Sequence, residues 1–207
     1  MRRLGLIARG AVAIFIVLLL VSSGVRADTT DTAVYGAGDY GGCSYGSCTL
    51  TLTSDGATSV DVVPTPAGKC TVQKDAVSVL TNSTTGYTLT AKTSTGNNDM
   101  TGASASITAS SATPASPTIL AMNTWGYRVD NLAGFGAGPT SAQNSGSVPS
   151  VAFAAMPASD ESPTAIASSS GAANPAEITD VWYGVCADSS LPSDTYTTTV
   201  VYTAVTN

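Results

Sequence analysis

Near its end the chain reads Thr195-Tyr196-Thr197-Thr198-Thr199-Val200-Val201-Tyr202-Thr203-Ala204-Val205. Taken with a period of two, this places Tyr196, Thr198, Val200, Tyr202 and Ala204 on one face and Thr197, Thr199, Val201, Thr203 and Val205 on the other. Successive side chains of an extended strand point to opposite faces, and Tyr, Thr and Val suit a pleated, half-buried surface. The stretch is therefore a strand with one face on a core, integral to the fold rather than a detachable tail. The same alternation returns in Cys48-Thr49-Leu50-Thr51-Leu52-Thr53, Val60-Asp61-Val62, Val77-Ser78-Val79 and Tyr87-Thr88-Leu89-Thr90-Ala91. It returns again in Thr124-Trp125-Gly126-Tyr127-Arg128-Val129, in Val151-Ala152-Phe153 and over residues 178–187. After residue 27 no stretch sustains a 3.6-residue apolar period; the Ala-rich residues 152–167 are interrupted by Pro157 and Pro163.

About eight to ten such strands, separated by turn residues, predict an all-β fold, a two-sheet Ig-like β-sandwich. Residues 102–118, 133–150 and 157–176 are low in complexity and read as long surface loops of Ser, Thr, Ala and Gly. The chain's 207 residues accommodate one domain of this kind.

The first residues carry an address. Arg2, Arg3 and Arg9 surround the start of an apolar run over residues 11–21, and Val25 and Ala27 stand three and one residues before the bond to Asp28. This is the layout of a secretory signal peptide, residues 1–27, which leaves residues 28–207 as a single β-sandwich domain. Eleven apolar residues rise about 16 Å as helix, roughly half a bilayer core, so membrane contact is expected only through this segment, if it stays uncleaved. Beyond it the chain keeps Lys69, Lys74, Lys92 and Arg128 against fourteen acidic residues, a side-chain net charge of −10. Such a chain repels phosphate backbones and anionic lipid, and four scattered cations build no basic groove, so nucleic-acid binding is excluded.

All four cysteines, Cys43, Cys48, Cys70 and Cys186, follow the leader. An even number in an oxidising compartment predicts two disulfides, with three possible connectivities. The short span between Cys43 and Cys48 favours their pairing, which leaves Cys70 with Cys186. A four-thiolate zinc site fits poorly, because such sites are built from paired C-x2-C knuckles.

Catalytic machinery is sparse. The chain has no histidine, which removes Ser-His-Asp and Cys-His catalysis and every His-ligated metal. Its two glutamates, Glu161 and Glu177, and its turn-borne aspartates do not read as a glycosidase pair. Asn97-Asn98-Asp99 and Asp160-Glu161 offer oxygen atoms to Ca²⁺ without the spacing of a calcium loop. An internal Lys–Asn crosslink would require Lys69, Lys74 or Lys92 beside an Asn in the core. No enzyme activity, cofactor or metal is therefore expected. The candidate ligand-binding residues are Trp125 and Trp182, with Tyr35, Tyr40, Tyr45 and Tyr127, as stacking platforms for a glycan. Aromatic residues in alternating strands also serve as core.

Val77-Ser78-Val79-Leu80-Thr81-Asn82-Ser83-Thr84-Thr85-Gly86-Tyr87-Thr88-Leu89-Thr90 resembles a strand, Asn-x-x-x-Gly-Tyr, strand unit of exported surface proteins from reduced-genome candidate-phylum bacteria. Trp125-Gly126-Tyr127, Phe153-Ala154-Ala155-Met156-Pro157, Tyr183-Gly184-Val185 and the closing Thr-Tyr-rich strand match further elements of that pattern. The resemblance spans most of residues 34–205. It implies an exported β-sandwich repeat unit with no catalytic residues. The chain departs from the pattern in holding a single unit and in placing Cys186 where another residue is usual. The closing strand is also similar to the last strand of fimbrial-subunit and spore-coat-like domains. The two Trp motifs are distantly similar to Trp-x-Leu wall-binding domains, without the Leu.

The expectation is thus a secreted or cell-surface, adhesin-like structural protein whose partner is a cell-surface protein or glycan, with assembly through edge strands. The alternative is a carbohydrate- or cell-wall-binding module using exposed aromatics. Trimming residues 28–32 is expected to be tolerated. N-terminal sequencing and intact mass of the exported form should place Asp28 first; a membrane-held product that retains the leader would overturn the soluble assignment.

Overall fold

The computed structural model describes residues 48–139 and 151–207, with the backbone of the strands Ile16–Leu20, Arg26–Ala27 and Gln143–Ser145. Every regular element among them is a strand. In chain order, β1 (Ile16–Leu20) and β2 (Arg26–Ala27) precede β3 (Leu50–Ser54) and β4 (Thr58–Val62). The long β5 (Lys69–Thr81) and β6 (Tyr87–Thr93) follow, then β7 (Met100–Thr101), β8 (Ser106–Ala109), β9 (Thr124–Val129) and β10 (Gln143–Ser145). Last come β11 (Thr164–Ser169), β12 (Ala173–Ala187), β13 (Thr197–Thr198) and β14 (Val200–Thr206).

Two sheets result. Seven strands, ordered β3–β5–β12–β9–β8–β7–β13, form the larger, and β11–β6–β14 the smaller. β10 adds to β5, β1 lies between β13 and β4, and β2 runs parallel to β14. The all-β, two-sheet expectation is met. The main core lies between the layers, where Val77, Val79, Trp125, Tyr127, Tyr183 and Val185 of the larger sheet meet Tyr87, Leu89, Ile166, Tyr202 and Ala204 of the smaller. The closing strand alternates as its sequence dictates: Tyr196, Thr198, Val200, Tyr202 and Ala204 are buried, whereas Thr197, Thr199, Val201 and Thr203 are half-buried and Val205 is exposed.

Three expectations about loops need correction. The low-complexity stretches hold β8, β10, β11 and the start of β12; in β8 and β11, Ile107 and Ile166 each supply the large apolar anchor that a short Ser/Thr/Ala strand needs. Conversely, Val151-Ala152-Phe153 is not a strand. Phe153 and Ala154 form only isolated bridges, to Thr118 and Tyr127.

β5 and β12 form an antiparallel ladder from Cys186↔Cys70 through Glu177↔Val79 to Ala173↔Thr81, with a bulge between Ala173 and Glu177. Here the larger sheet is buried on both faces. Val181, Tyr183 and Val185 face the inter-sheet core, while Trp182 and Cys186 face outward into a second cluster with Cys70, Val72, Leu120 and Phe153. Cys70 and Cys186, opposite each other in the register, are joined by a disulfide, with Cα atoms 4.0 Å apart. Chain-entropy arguments give a closed loop of this length roughly 4–5 kcal/mol. Cys48 is also disulfide-bonded, and no described cysteine is free. Its expected partner Cys43 lies outside the described residues.

The second cluster exists because of two glycines. Gly126 and Gly184 are cross-strand partners in β9 and β12, and together they leave a bare strip on the outer face. Phe153 and Leu120 lie on it. A Cβ at position 184 would stand 2.6 Å from Phe153 Cε1 and 3.0 Å from Leu120 Cδ1; at position 126 it would stand 2.7 Å from the Ala154 carbonyl oxygen. Trp-Gly-Tyr, Tyr-Gly-Val and Phe-x-x-Met-Pro are thus parts of one packing device. Gly184→Val should cost about 1–3 kcal/mol by overpacking. Combining it with Phe153→Leu, which withdraws the ring edge, should cost less than the sum of the two single changes. Urea melts of the four proteins test this, and strict additivity would show that the glycine does not serve the ring.

Candidate functional site

Both tryptophans are enclosed. Trp125 is 0% exposed, and its indole Nε1 donates to the Asn98 carbonyl at 2.9 Å. Trp182 is 3% exposed beneath the second cluster, with Lys74 Nζ 5.8 Å from its ring centroid. Tyr127 is 0% exposed as well. The indoles therefore form no exposed planar strip on which a sugar could stack. Tyr35, Tyr40 and Tyr45 lie outside the described residues.

The oxygen-rich stretches serve the local backbone. Asp99 Oδ1 accepts from the Ala109 N–H, Asn97 Oδ1 from the Asp99 N–H, and Glu161 Oε2 from the Ala158 N–H. Asn98 Nδ2 donates to the Met156 carbonyl. Among the lysines, Lys74 pairs with Asp180 at 2.8 Å and Lys92 donates to the Ser159 carbonyl, so neither is placed on an Asn.

Two clusters that the sequence reading missed hold the unusual chemistry. The first surrounds Arg128, which β9 carries on its outer face and which is 0% exposed. Its Nε donates to Asp130 Oδ1 at 2.9 Å, one terminal nitrogen to the Ala152 carbonyl, and the other to the carbonyls of Phe135 and Gly136. A buried guanidinium is tolerated when its donors are met, and here they tie residues 130–136 and 152 to the sheet.

The second lies in the inter-sheet core. Asp75 of β5 is 0% exposed and points between the layers. Its Oδ1 accepts from the Asp55 N–H at 2.9 Å, which fastens the turn after β3, while its Oδ2 has no hydrogen-bond partner. Nearby, the hydroxyls of Tyr183 and Tyr202 meet at 2.5 Å, one from each sheet. Burial drives the Asp75 carboxyl above the ordinary 3.8; Tyr202 offsets part of this, and the Asp55 charge adds to it. Burial likewise raises both tyrosines. At the rim Tyr87 donates to Glu177 at 2.9 Å; burial, then Glu177, holds its hydroxyl at about 12.

An open depression of about 540 Å³ is lined by Val129, Leu132, Ile166 and Ile178 with Asp130 and Asp180. Both carboxylates are already paired, with Arg128 and Lys74. No family model, curated protein or solved structure matches the chain.

What this arrangement does chemically is link the two sheets through the Tyr183–Tyr202 hydroxyl pair, beside a carboxyl whose value burial raises. Because the folded-state value of Asp75 is raised, its contribution is whole below about pH 4 and is lost as pH rises through the folded value. Thermal melts of wild type and Asp75→Asn should therefore diverge in favour of the variant as pH rises above about 4. A melting difference independent of pH would rule out a buried acid as the cause.

Proposed function

We propose that the chain is an exported, non-enzymatic structural or adhesive β-sandwich of the cell surface. The observation that carries this reading is that, among the described residues, the aromatic and unusual polar groups with the most specific surroundings are enclosed. Trp125, Tyr127, Arg128, Asp75, Tyr183 and Tyr202 are each at most 2% exposed. A partner meets strand edges, Thr- and Ser-bearing faces and loops. The Cys70–Cys186 bridge supports the address, since structural disulfides persist in oxidising compartments. An acidic, disulfide-bonded sandwich suits a surface where solubility and resistance to unfolding matter more than turnover.

The carbohydrate-binding alternative depended on exposed indoles and loses that support. Antibody labelling and protease shaving of intact cells test the proposal. The protein should be labelled without permeabilisation and released by shaving, and the purified exported form should retain no glycan on an array. Labelling only after lysis would refute surface placement, and saturable binding of one glycan class would restore the alternative.

A further inference from the structure

A seam runs between β4 and the closing segment β13–β14. On one flank β4 turns Thr58, Val60 and Val62 into the core; on the other, β13 and β14 turn in Thr198, Val200, Tyr202 and Ala204. The flanks do not pair with each other. Among the described residues, the strand that pairs with β4 is β1, in the register Ile16↔Val62, Leu18↔Val60 and Leu20↔Thr58. The side of β14 away from β6 is met by β2, at Thr203↔Arg26 and Ala204↔Ala27. Both strands that fill the seam belong to residues 1–27, the segment that the export reading removes.

Resting on that reading, we propose that in the exported protein the chain's own residues 28–35 take the place of β1 and β2. The segment Asp28-Thr29-Thr30-Asp31-Thr32-Ala33-Val34-Tyr35 would lie parallel to residues 197–206. An empty seam leaves two rows of backbone N–H and C=O groups unpaired and opens the core between them, a costly state. The new N-terminal segment suits the vacancy. Thr30, Thr32 and Val34 alternate, and this core already accepts threonine at Thr58, Thr71, Thr81, Thr93 and Thr198. This register leaves Asp28 at the open end of the strand and turns Asp31 outward, whereas a shift by one residue would place Asp31 inward at mid-strand.

The chain path agrees. A strand parallel to β14 ends beside Asn207, whose N–H donates to the Gly86 carbonyl. The chain re-enters at the same end of the sandwich, where the Thr49 N–H donates to Asn82 Oδ1. Residues 36–47, five of them glycine, bridge these points easily, since they reach about 40 Å when extended. A tether this short sets an effective concentration near millimolar, so the chain's own strand outcompetes a second copy at micromolar protein. The proposal reverses the expectation that residues 28–32 are dispensable.

Hydrogen exchange of the exported product tests it, with Thr32→Pro, which removes a ladder donor, and Val34→Asp, which places a charge inward. The wild type should begin at Asp28 and sediment as a monomer at micromolar concentration, with residues 28–35, 58–62 and 197–206 protected. Either variant should lose at least tenfold of that protection and melt roughly 5–10 °C lower. If neither variant is recovered, the wild type decides alone: rapid exchange over residues 28–35 overturns the proposal. So does protection that disappears on dilution along with a multimer, which would assign the seam to a second copy. A product that keeps residues 1–27 refutes export itself and leaves β1 in place, whereas a product starting at Asp28 with an unprotected seam refutes the proposal alone.

Discussion

The part of the β5–β12 ladder formed by residues 181–187 must be buried on both faces, and much of the structure follows from meeting that demand. A sandwich strand usually needs cover on one side. Here Val181, Tyr183 and Val185 require the facing sheet, while Trp182 and Cys186 require a second lid. The lid is not a third sheet but two irregular segments carrying Leu120 and Phe153, admitted by the Gly126–Gly184 pair. Only cross-strand glycines give two neighbouring strands a gap wide enough for an aromatic ring. The disulfide lies at the same ladder, in the outer cluster, so a long covalent loop is closed beneath the second lid.

Polar groups serve the same end. With few aromatic residues, the core gains rigidity from enclosed hydrogen bonds: Arg128 onto three carbonyls and Asp130, Trp125 onto the Asn98 carbonyl, and the Tyr183–Tyr202 pair across the sheets. Asp75 is an exception, as are Tyr127 and Trp182: one Asp75 oxygen, the Tyr127 hydroxyl and the Trp182 indole nitrogen are buried with no hydrogen-bond partner among the described residues. Burial disfavours the charged form of such a carboxyl, which is why its raised value and its position between the sheets are a single fact.

Much of the fold was legible because a period of two survives in any strand with one wet face. The alternation of residues 195–205 and of Tyr87–Thr93 translates directly into the observed burial. The pattern fails where strands are short or doubly buried. Ser106–Ala109 and Thr164–Ser169 show one anchoring isoleucine each and pass for loop, and the outer face of β12 carries Trp182 and Gly184, which composition alone does not assign to a second core. The Trp and Gly motifs were visible, but their meeting was not, because it depends on a cross-strand register set by residues far apart in sequence. Arg128 and Asp75 were equally invisible. A charged residue in an alternating strand gives no local sign of which way it faces, and the partners that satisfy Arg128 lie mainly in loops.

The treatment of edges separates the seam from the other borders of the molecule. An exposed regular edge invites pairing, and proteins blunt such edges with bulges, proline or charge. The edge strand β11 is broken by a register shift between Ala165 and Ala167, and the start of β12 by another between Ala173 and Glu177, beside Pro175. Along β14 and β4 the ladders are unbroken: Val200 through Thr206 pair with β6 without a shift, and β4, with Asp61 its one charge, pairs with β1 residue for residue. The edges of β4 and β13 lie one strand apart, with β1 between them, and β4, β13 and β14 turn buried side chains inward, which is the geometry of a sheet interior and not of a border. The sequence that shapes β4 and β14 therefore anticipates a strand between them, whichever segment supplies it.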